Sequence, residues 1–528
     1  MSEPWVLYED EHLLAVHKPA GVRSHTSDAH GQHGIYEWVA SQRPEATLAL
    51  LHRLDKGTSG VLVFGKTPLA NRSLEEQLRT RTLKKTYQLL TRYDRTRPRS
   101  LTCDYRIRQK RKGEYRDREA VTDYALEEHT DALARYRATP HTGRTHQVRL
   151  HAVRLGFPLF GDVEYEGPAG ARLFLHAERL TLAHPASGAK LKLHAPLPKS
   201  FRAVLEGGEP AAPAIAARAA RESREVLFDP SQTSAYLWID RHHDGFPDLR
   251  VERYGDVGRV LRYDEREAPL PQAWVEALMQ EGDLRALVEQ QRPRGGGAQG
   301  ASVIAGELPE ARFQVSELGL RYWVDLEASP TSSGLFLDQR ETRRRLLGSD
   351  LAGLSVLNAF GHTGSLSVAA AKAGAETLTL DLSKRYLEWA RENLALNGLD
   401  PQEHDFIYGD ALDWLRRLAN KKRKFDVVLL DPPSSSTSGK GRNKRRWIVE
   451  RDLAELTERG ARLLAKGGLL FVSTNLRRMA WPRFLEQLAA GLSAAGRTGK
   501  VTTQTVPLDY RTGAGDPPYL KAAWVRVT

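Results

Sequence analysis

The chain has 528 residues, with 78 Lys and Arg against 66 Asp and Glu, which gives a formal net charge of +12. At roughly 150 residues per domain this length predicts about three to four domains, and 41% hydrophobic residues are enough for more than one core. The single cysteine, Cys103, excludes an intrachain disulfide and any zinc or iron–sulfur site built from cysteines.

The sequence shows no membrane helix, no signal peptide and no metal-binding motif. No apolar run approaches the ~20 residues that a membrane helix requires, and the acidic N-terminus lacks the basic and then apolar layout of a signal peptide. We therefore expect a cytoplasmic protein without membrane contact. The sequence contains no HExxH or comparable ligand spacing, so no metal site is predicted. The oligomeric state is left open.

Charge is distributed unevenly along the chain. Residues 1–200 carry 32 basic and 23 acidic side chains (+9), residues 201–400 carry 23 and 30 (−7), and residues 401–528 carry 23 and 13 (+10). Two basic ends around an acidic middle favour two surfaces for a polyanion such as nucleic acid, although a generally basic protein would have the same total charge.

One segment has the composition of a linker. Residues 206–225, EGGEPAAPAIAARAARESRE, are rich in Ala, Pro, Gly and charge. We therefore divide the chain into a first domain at 1–205, this linker, an accessory domain of short alternating strands at 226–330 and a C-terminal domain at 331–528.

The first candidate site lies at Asp55, within HRLDKGTSG and before the apolar run VLVFG. A carboxylate in such a turn can face a cleft or can equally cap its own backbone. The surrounding sequence resembles the RluA-type RNA pseudouridine synthases over about residues 5–205. The further segments that carry this resemblance, in the family's order, are VLYEDEHLLAVHKPAGV (6–22), LKKTYQLLT (83–91), PHTGRTHQVRLHAVRLGFPLFGDVEY (140–165) and LFLHAERLTLAHPASG (173–188).

This resemblance implies an α+β fold with a mixed antiparallel sheet and a cofactor-free isomerisation of uridine to pseudouridine in RNA. It implies that Asp55 is the catalytic carboxylate, that Arg149 pairs with it, and that Tyr87 stacks on the base or moves a proton. Leu175 would pack against the target base, and Arg53 would help hold the displaced nucleotide. Taken alone, Tyr87 and Leu175 are as readily explained as core residues.

The C-terminal region alternates strand-like runs with helical segments, which predicts a Rossmann-like α/β domain with a parallel sheet. One helix is predicted from about Ser383 to Asn397, with Ser383 as its N-cap. The strand-like runs are LSVLNAF (354–360), TLTLD (377–381), DVVLLD (426–431) and GLLFVST (468–474).

Ligand-binding residue types follow these strands. Gly361 and Gly364 stand in the turn after the first run, where glycine permits close approach of a ligand. Asp381 ends the second run, at a spacing that suits ribose hydroxyls. The candidate cofactor-binding residues are Phe360, Gly361, Gly364, Asp381, Asp410 and Asp431.

This pattern looks like a class I S-adenosylmethionine (SAM)-dependent methyltransferase. The segments GLFLDQRETRRRL (334–346), DLSKRYLEWARENLALNGL (381–399) and LLDPPSSS resemble the large-subunit rRNA methyltransferases of the RlmI and RlmK group. HDGFPDLRVERYGD, in the middle region, resembles the strand-rich domain that precedes the catalytic domain there. The resemblance implies SAM as the cofactor and large-subunit rRNA as the partner.

Chemistry narrows the choice of methylated base. C5 methylation of cytosine normally needs a cysteine, and the C-terminal half has none. Guanine N7 already carries a free lone pair and needs mainly positioning, and FVSTNLRRM resembles the RlmK branch, so we favour N7. Asp431, Pro432 and Asn475 are candidate contacts to the guanine, although Asn475 is equally explained as a turn residue.

We predict a bifunctional RNA-modifying enzyme. In one alternative only one domain is catalytic and the other binds RNA, and in another the methyl acceptor is a different base or tRNA. A third is an RNA chaperone with vestigial sites. A small-molecule methyltransferase is a fourth, and it accounts poorly for the basic loop at 434–447.

Overall fold

Three sheet-based regions follow one another along the chain. The computed structural model describes residues 3–26, 33–111, 113–263, 268–292, 300–308, 310–327, 332–438, 445–511 and 519–528. Within these ranges no helix is both long enough and apolar enough to cross a membrane. Nor do the described side chains include a group of three or more His, Cys, Asp or Glu that could hold a metal ion.

The N-terminal region is built on a mixed sheet. Its strands are β1 (Val6–Glu9), β2 (Leu13–Lys18), β3 (Ala49–Leu50), β4 (Ser59–Gly65), β5 (Lys84–Arg92), β6 (Ser100–Cys103), β7 (Ile107–Arg111), β8 (Glu114–Arg118), β9 (Thr122–His129), β10 (Leu133–Pro140), β11 (Leu175–Ala183) and β12 (Lys190–His194). Its helices are α1 (Ile35–Gln42), α2 (Pro68–Arg79), α3 (Gln147–Arg154) and α4 (Lys199–Leu205).

The order of this sheet is β1-β2-β4-β11-β5-β10-β9-β6, with β3 on β4 and β12 on β11, while β7 and β8 form a separate hairpin. The strand β4 is buried throughout, because both faces of the sheet are covered there. Leu62 and Phe64 enter one core and Val61 and Val63 another, since alternate side chains point to opposite faces. The strand that follows the Asp55 turn is thus rigidly held.

The segment predicted to be a linker contains a packed helix, α5 (Pro213–Glu225). Its alanines favour a helix and lie in the apolar core, and Trp238 donates its indole N–H to the carbonyl of Ala217 at 3.1 Å. Arg224 is fully buried and donates two hydrogen bonds to Asp244, at 2.7 and 2.6 Å. Composition alone did not reveal this burial, because the residues that contact α5, such as Trp238 and Asp244, come from the segment that follows it.

The middle region is rich in short strands, as the alternating pattern predicts. Its sheet has the order β13-β14-β15-β16-β17, and β18 and β19 form a hairpin. These strands are β13 (Ala235–Asp240), β14 (Leu249–Tyr254), β15 (Val257–Arg262), β16 (Ala286–Gln291), β17 (Ser302–Gly306), β18 (Arg312–Glu317) and β19 (Leu320–Asp325), and the helix between β15 and β16 is α6 (Gln272–Gly282).

The C-terminal region is a doubly wound α/β unit. Its strands are β20 (Ser355–Ala359), β21 (Glu376–Asp381), β22 (Asp405–Tyr408), β23 (Phe425–Leu430), β24 (Ser435–Ser438), β25 (Arg445–Ile448), β26 (Leu464–Thr474), β27 (Gly499–Gln504) and β28 (Lys521–Val527). Its helices are α7 (Arg340–Leu347), α8 (Ser365–Lys372), α9 (Lys384–Leu396), α10 (Ala411–Asn420), α11 (Val449–Arg462) and α12 (Trp481–Ala494).

The main C-terminal sheet has the order β22-β21-β20-β23-β26-β28-β27, in which β28 runs antiparallel to β26. The four predicted strand-like runs correspond to β20, β21, β23 and β26. Ser383 caps α9 by accepting the N–H of Tyr386 at 3.3 Å, as the sequence predicts. The basic loop forms the β24–β25 hairpin at its ends, and its residues 439–444 lie outside the described residues.

One apolar core joins the N-terminal region to the rest of the chain. It includes Trp5 and Trp38 from the first region, Trp238 and Phe246 from the middle region and Leu508 from the C-terminal region. The guanidinium carbon of Arg344 in α7 also lies 5.8 Å from the ring centre of Trp38. The three regions therefore pack directly against one another.

Candidate active sites

A cleft of about 1170 Å³ opens on the N-terminal region. All five residues that the sequence predicts for the first site line it: Arg53, Asp55, Tyr87, Arg149 and Leu175. They come from a turn, two strands and a helix that are up to 122 residues apart in sequence, counting from Arg53 to Leu175. The fold therefore gathers them at one place.

The Asp55 turn is held by the segment that follows β2. Ser24 donates its hydroxyl to the carbonyl of Leu54 at 2.7 Å and accepts the N–H of Leu54 at 2.9 Å. The N–H of Gly21 donates to the carbonyl of Lys56 at 2.8 Å. Bonds on both sides of Asp55 fix the direction of its carboxylate, whose side chain remains 24% exposed to the cleft.

Arg149 pairs with Asp55 as predicted, but Asp55 is the most distant of its partners. The Nη1–Oδ2 distance to Asp55 is 3.4 Å, whereas Asp162 accepts two hydrogen bonds at 2.8 and 2.6 Å and Glu164 accepts one at 2.9 Å. Burial alone would lower the pKa of Arg149, but these carboxylates together raise it above its usual range. The guanidinium is thus locked in place by Asp162 and presented to Asp55.

His146 is a functional candidate that sequence reasoning missed. Its Nε2 lies 3.6 Å from Asp55 Oδ1, and its Nδ1 lies 2.7 Å from the hydroxyl of Tyr165. Its backbone is in the left-handed region, with φ of 56°, a conformation that costs energy and is concentrated at functional sites. His146, Tyr165, Asp162 and Glu164 all stand in the segment 140–165, so the motif itself was the available signal.

Tyr87 and Leu175 belong to both the core and the cleft. Leu175 is 2% exposed and pairs with Leu89 across β11 and β5, while Tyr87 packs against the same apolar cluster. Burial raises the pKa of Tyr87 above its usual range, and the negative charge of Asp55 raises it further. The phenol therefore stays protonated at neutral pH and can donate a hydrogen bond.

The second site begins at the turn between β20 and α8. Asp381 accepts the N–H of His362 at 2.8 Å and the N–H of Ser383 at 2.8 Å, one on each carboxylate oxygen. Phe360 and His362 have positive φ values of 65° and 49°, which is strained backbone for side chains of this size. The turn is thus tied to the end of β21.

Two glycines of this turn make close contacts that a side chain would block. A Cβ at Gly361 would lie 2.3 Å from Thr379 Cγ2, and one at Gly364 would lie 2.6 Å from Ala390 Cβ. Burial raises the pKa of Asp381, and the backbone hydrogen bonds that it accepts act in the opposite direction. A glycine turn beside a strand-end carboxylate with lone pairs to spare fits the adenosine part of SAM.

Asp410 and Asp431 follow the strands β22 and β23. Asp410 caps α10 by accepting the N–H of Asp413 at 3.2 Å. Asp431 directly follows β23 and accepts the hydroxyl of Ser473. Burial raises the pKa of Asp431 to about 6, and the charge of Asp338 contributes to the rise.

Asp338 is the second residue that sequence reasoning missed. It is buried, and the hydroxyl of Tyr519 donates to its Oδ2 at 2.9 Å. Asn475, by contrast, is exposed and accepts the hydroxyl of Ser434 at 3.0 Å. Pro432 is buried directly after Asp431.

The strand orders and the two sites define the class of protein: a pseudouridine synthase fold joined to a Rossmann-like, class I methyltransferase fold. Residues 12–153 match the family described as RNA pseudouridylate synthase. Residues 266–495 match the family described as S-adenosylmethionine-dependent methyltransferase. A methyltransferase solved in complex with SAH has the same fold, with a TM-score of 0.54 at 24% identity over 66% of this chain and 87% of that one.

Two relatives of known family narrow the class of the methyltransferase region. Ribosomal RNA large subunit methyltransferase K of Neisseria meningitidis is 34% identical over 267 residues, which cover 50% of this chain and 71% of the relative. Methyltransferase K/L of Allochromatium vinosum is 41% identical over 213 residues, but these cover 40% of this chain and only 27% of the relative. Through this similarity the chain belongs to the family of ribosomal RNA large subunit methyltransferase K.

Proposed function

We propose that this protein is a bifunctional RNA-modifying enzyme, which converts uridine to pseudouridine and transfers a methyl group from SAM to a base of large-subunit rRNA. The observation that carries the proposal is the assembly of Asp55, Tyr87, Arg149 and Leu175 in one cleft on a chain that also belongs to an rRNA methyltransferase family. We further propose the domain division 1–205, 206–225, 226–330 and 331–528, and a cytoplasmic location.

In the first reaction the N1–C1′ bond of uridine breaks, the uracil turns and a C5–C1′ bond forms. C5 loses a proton and N1 gains one, so the reaction needs no further reactant. Asp55 acts at the ribose–uracil junction as nucleophile or base. Arg149 lies beside the Asp55 carboxylate. Leu175 packs on the flipped base, and Arg53, which lines the same cleft, contacts the displaced nucleotide.

In the second reaction SAM supplies the methyl group. Gly361 and Gly364 let the backbone approach the cofactor, and Asp381 accepts hydrogen bonds from its ribose hydroxyls. Two further residues complete the proposed cofactor site. Phe360 directly follows β20, and Asp410 lies between β22 and α10. These residues, which lie at the carboxyl ends of the strands, would hold SAM there, and the cofactor would supply the methyl group.

We propose guanine N7 as the acceptor atom. The N1–H and N2–H₂ groups of guanine are donors, and the buried carboxyl groups Asp431 and Asp338 are acceptors that can hold them. N7 itself needs positioning rather than a base. The only cysteine, Cys103, is buried in β6 of the first region, so no thiol is present to activate a cytosine. Pro432 and Asn475 border the same edge.

The test is to incubate the purified protein with unmodified large-subunit rRNA and labelled SAM and to analyse the digested nucleosides by mass spectrometry. We expect both pseudouridine and 7-methylguanosine. Pseudouridine with another methylated nucleoside would refute the N7 assignment alone. The absence of either modification on rRNA, with its appearance on tRNA, would refute the proposed substrate for that site.

A further inference from the structure

A group of basic side chains and one tyrosine lies between the middle and C-terminal regions. We call it the basic–tyrosine cluster and define it by Arg241, Arg250, Arg477, Tyr519 and Lys521. The guanidinium carbons of Arg250 and Arg477 lie 5.4 and 5.7 Å from the ring centre of Tyr519. Cations from two regions of the chain therefore meet on one aromatic ring.

Among the described residues, one carboxylate, that of Asp240, forms ion pairs with the cations of this cluster. Asp240 accepts Arg250 Nε at 2.8 Å and Arg241 Nε at 3.2 Å on one oxygen, while its other oxygen accepts the N–H of Arg511. Arg477 makes no ion pair with any carboxylate in the part of the chain that the structure describes. The Arg477 side chain is exposed, and the partial burial of its guanidinium, together with the charges of Arg250 and Arg241, lowers its pKa, as expected where cations lie close together.

The cluster touches the methyl-acceptor end of the sheet. The hydroxyl of Tyr519 donates to Asp338, whose charge in turn helps raise the pKa of Asp431. Lys521 donates to the carbonyls of Leu476 at 3.0 Å and of Tyr519 at 3.2 Å, and so fixes the turn that carries Arg477. Tyr519 thus lies between the two arginines on its ring and Asp338, one of the carboxyl groups proposed to hold the base.

We propose that the basic–tyrosine cluster binds the backbone phosphate of the nucleotide next to the methylated base, with Arg477 as its main cation. This inference rests on the proposed function of the methyltransferase region. A phosphate supplies the missing negative charge, and arginine binds phosphate oxygens through paired N–H groups. Phosphate contacts fix the register of a nucleic acid, so the target base is delivered to Asp431. The strand-rich region then forms one wall of the RNA site, through Arg241 and Arg250.

The test compares Arg477→Ala with Arg478→Ala in the full-length protein. Arg478 is the matched control because it is exposed, as Arg477 is, but is already paired with Glu450 at 2.6 Å. The assay uses unmodified large-subunit rRNA and labelled SAM at several KCl concentrations. For Arg477→Ala we expect the KM for RNA in methylation to rise roughly tenfold. The salt slope of log(kcat/KM) should fall by about 0.7–0.9, the contribution of one phosphate contact.

Three comparisons decide the outcome. Arg477→Lys, which keeps the charge, should recover part of the loss. Arg478→Ala should methylate RNA with an unchanged KM. In Arg477→Ala, the KM for SAM and the formation of pseudouridine should both stay unchanged. The proposal is overturned if Arg477→Ala and Arg478→Ala behave alike, if the KM for SAM rises instead, or if Arg477→Lys is as impaired as Arg477→Ala. Failure of the wild-type chain to methylate any RNA would refute the proposed function itself, before any variant is compared.

Discussion

At the scale of single residues, the first site separates Asp55, the residue proposed to react, from the residues that hold its partner Arg149. Asp55 faces the cleft, whereas Asp162 is buried behind Arg149 and fixes the guanidinium through two hydrogen bonds. Removing one partner of a buried ion pair is costly because the other charge is left unpaired. The two carboxylates should therefore respond differently to the same substitution.

Asp55→Asn should abolish pseudouridine formation while leaving methylation and the melting temperature nearly unchanged. Asp162→Asn should lower the free energy of unfolding by roughly 3–5 kcal/mol and reduce pseudouridine formation only as far as Arg149 moves. Thermal denaturation and nucleoside analysis of both variants check this. Equal loss of stability in the two would contradict the division of roles.

The pKa of Asp431, raised to about 6, predicts a pH dependence of methylation. Below pH 6 the carboxyl group is protonated and loses acceptor capacity toward guanine N–H groups, so the methylation rate should fall as the pH drops through about 6. The rate should be constant above pH 7. Asp431→Asn should be slow at every pH, with no inflection. The measurement is single-turnover methylation from pH 5 to 8, with pseudouridine formation followed in the same tube as the control.

At the scale of elements, the turn between β20 and α8, which is proposed to bind the cofactor, depends on close packing against the neighbouring strand β21. Gly361 sits against Thr379 on β21, and this glycine does not have a positive φ, so the constraint there is steric alone. Overpacking of this kind forces backbone shifts. A shift here moves the N–H of His362, which Asp381 accepts, and would disturb the ribose contact proposed for Asp381.

Gly361→Ala should weaken SAM binding at least tenfold and destabilise the fold by about 1–3 kcal/mol. Gly348→Ala is the matched control in the same region, because its Cβ would meet its nearest neighbour at an ordinary 3.4 Å. Calorimetric titration with SAM measures both variants. Normal SAM affinity in Gly361→Ala would remove this turn from the cofactor site.

At the scale of the whole molecule, local pattern predicted much of what the structure contains. Four of the C-terminal strands (β20, β21, β23 and β26) and the cap of α9 follow from patterns within short windows, and motif residues such as Asp55 stand in contiguous turns. Asp338 escaped prediction because its relation to Asp431 is made only by tertiary packing across 93 residues (431 minus 338). The burial of α5 escaped for the same reason, since its composition resembles that of a solvated connection.

The shared core predicts that the N-terminal region and the rest of the chain stabilise each other. Trp5 and Trp38 of the first region lie in one apolar core with Trp238 and Phe246 of the middle region. Expressed alone, residues 1–205 would expose this surface, and each buried aromatic or aliphatic side chain contributes roughly 1.5–3 kcal/mol. We therefore expect the fragment 1–205 to melt well below the full chain and to bind a hydrophobic dye.

The complementary fragment, residues 206–528, keeps α5 and the ion pair of Arg224 with Asp244. It should lose less stability than 1–205 does, and mixing the fragments should restore a cooperative transition near that of the full chain, because the apolar surfaces fit each other. Calorimetry of each fragment and of the equimolar mixture tests this, with the full chain as reference. Two fragments that melt independently at the full-chain temperature, and that do not associate, would mean that the shared core contributes nothing to joining the two parts of the chain.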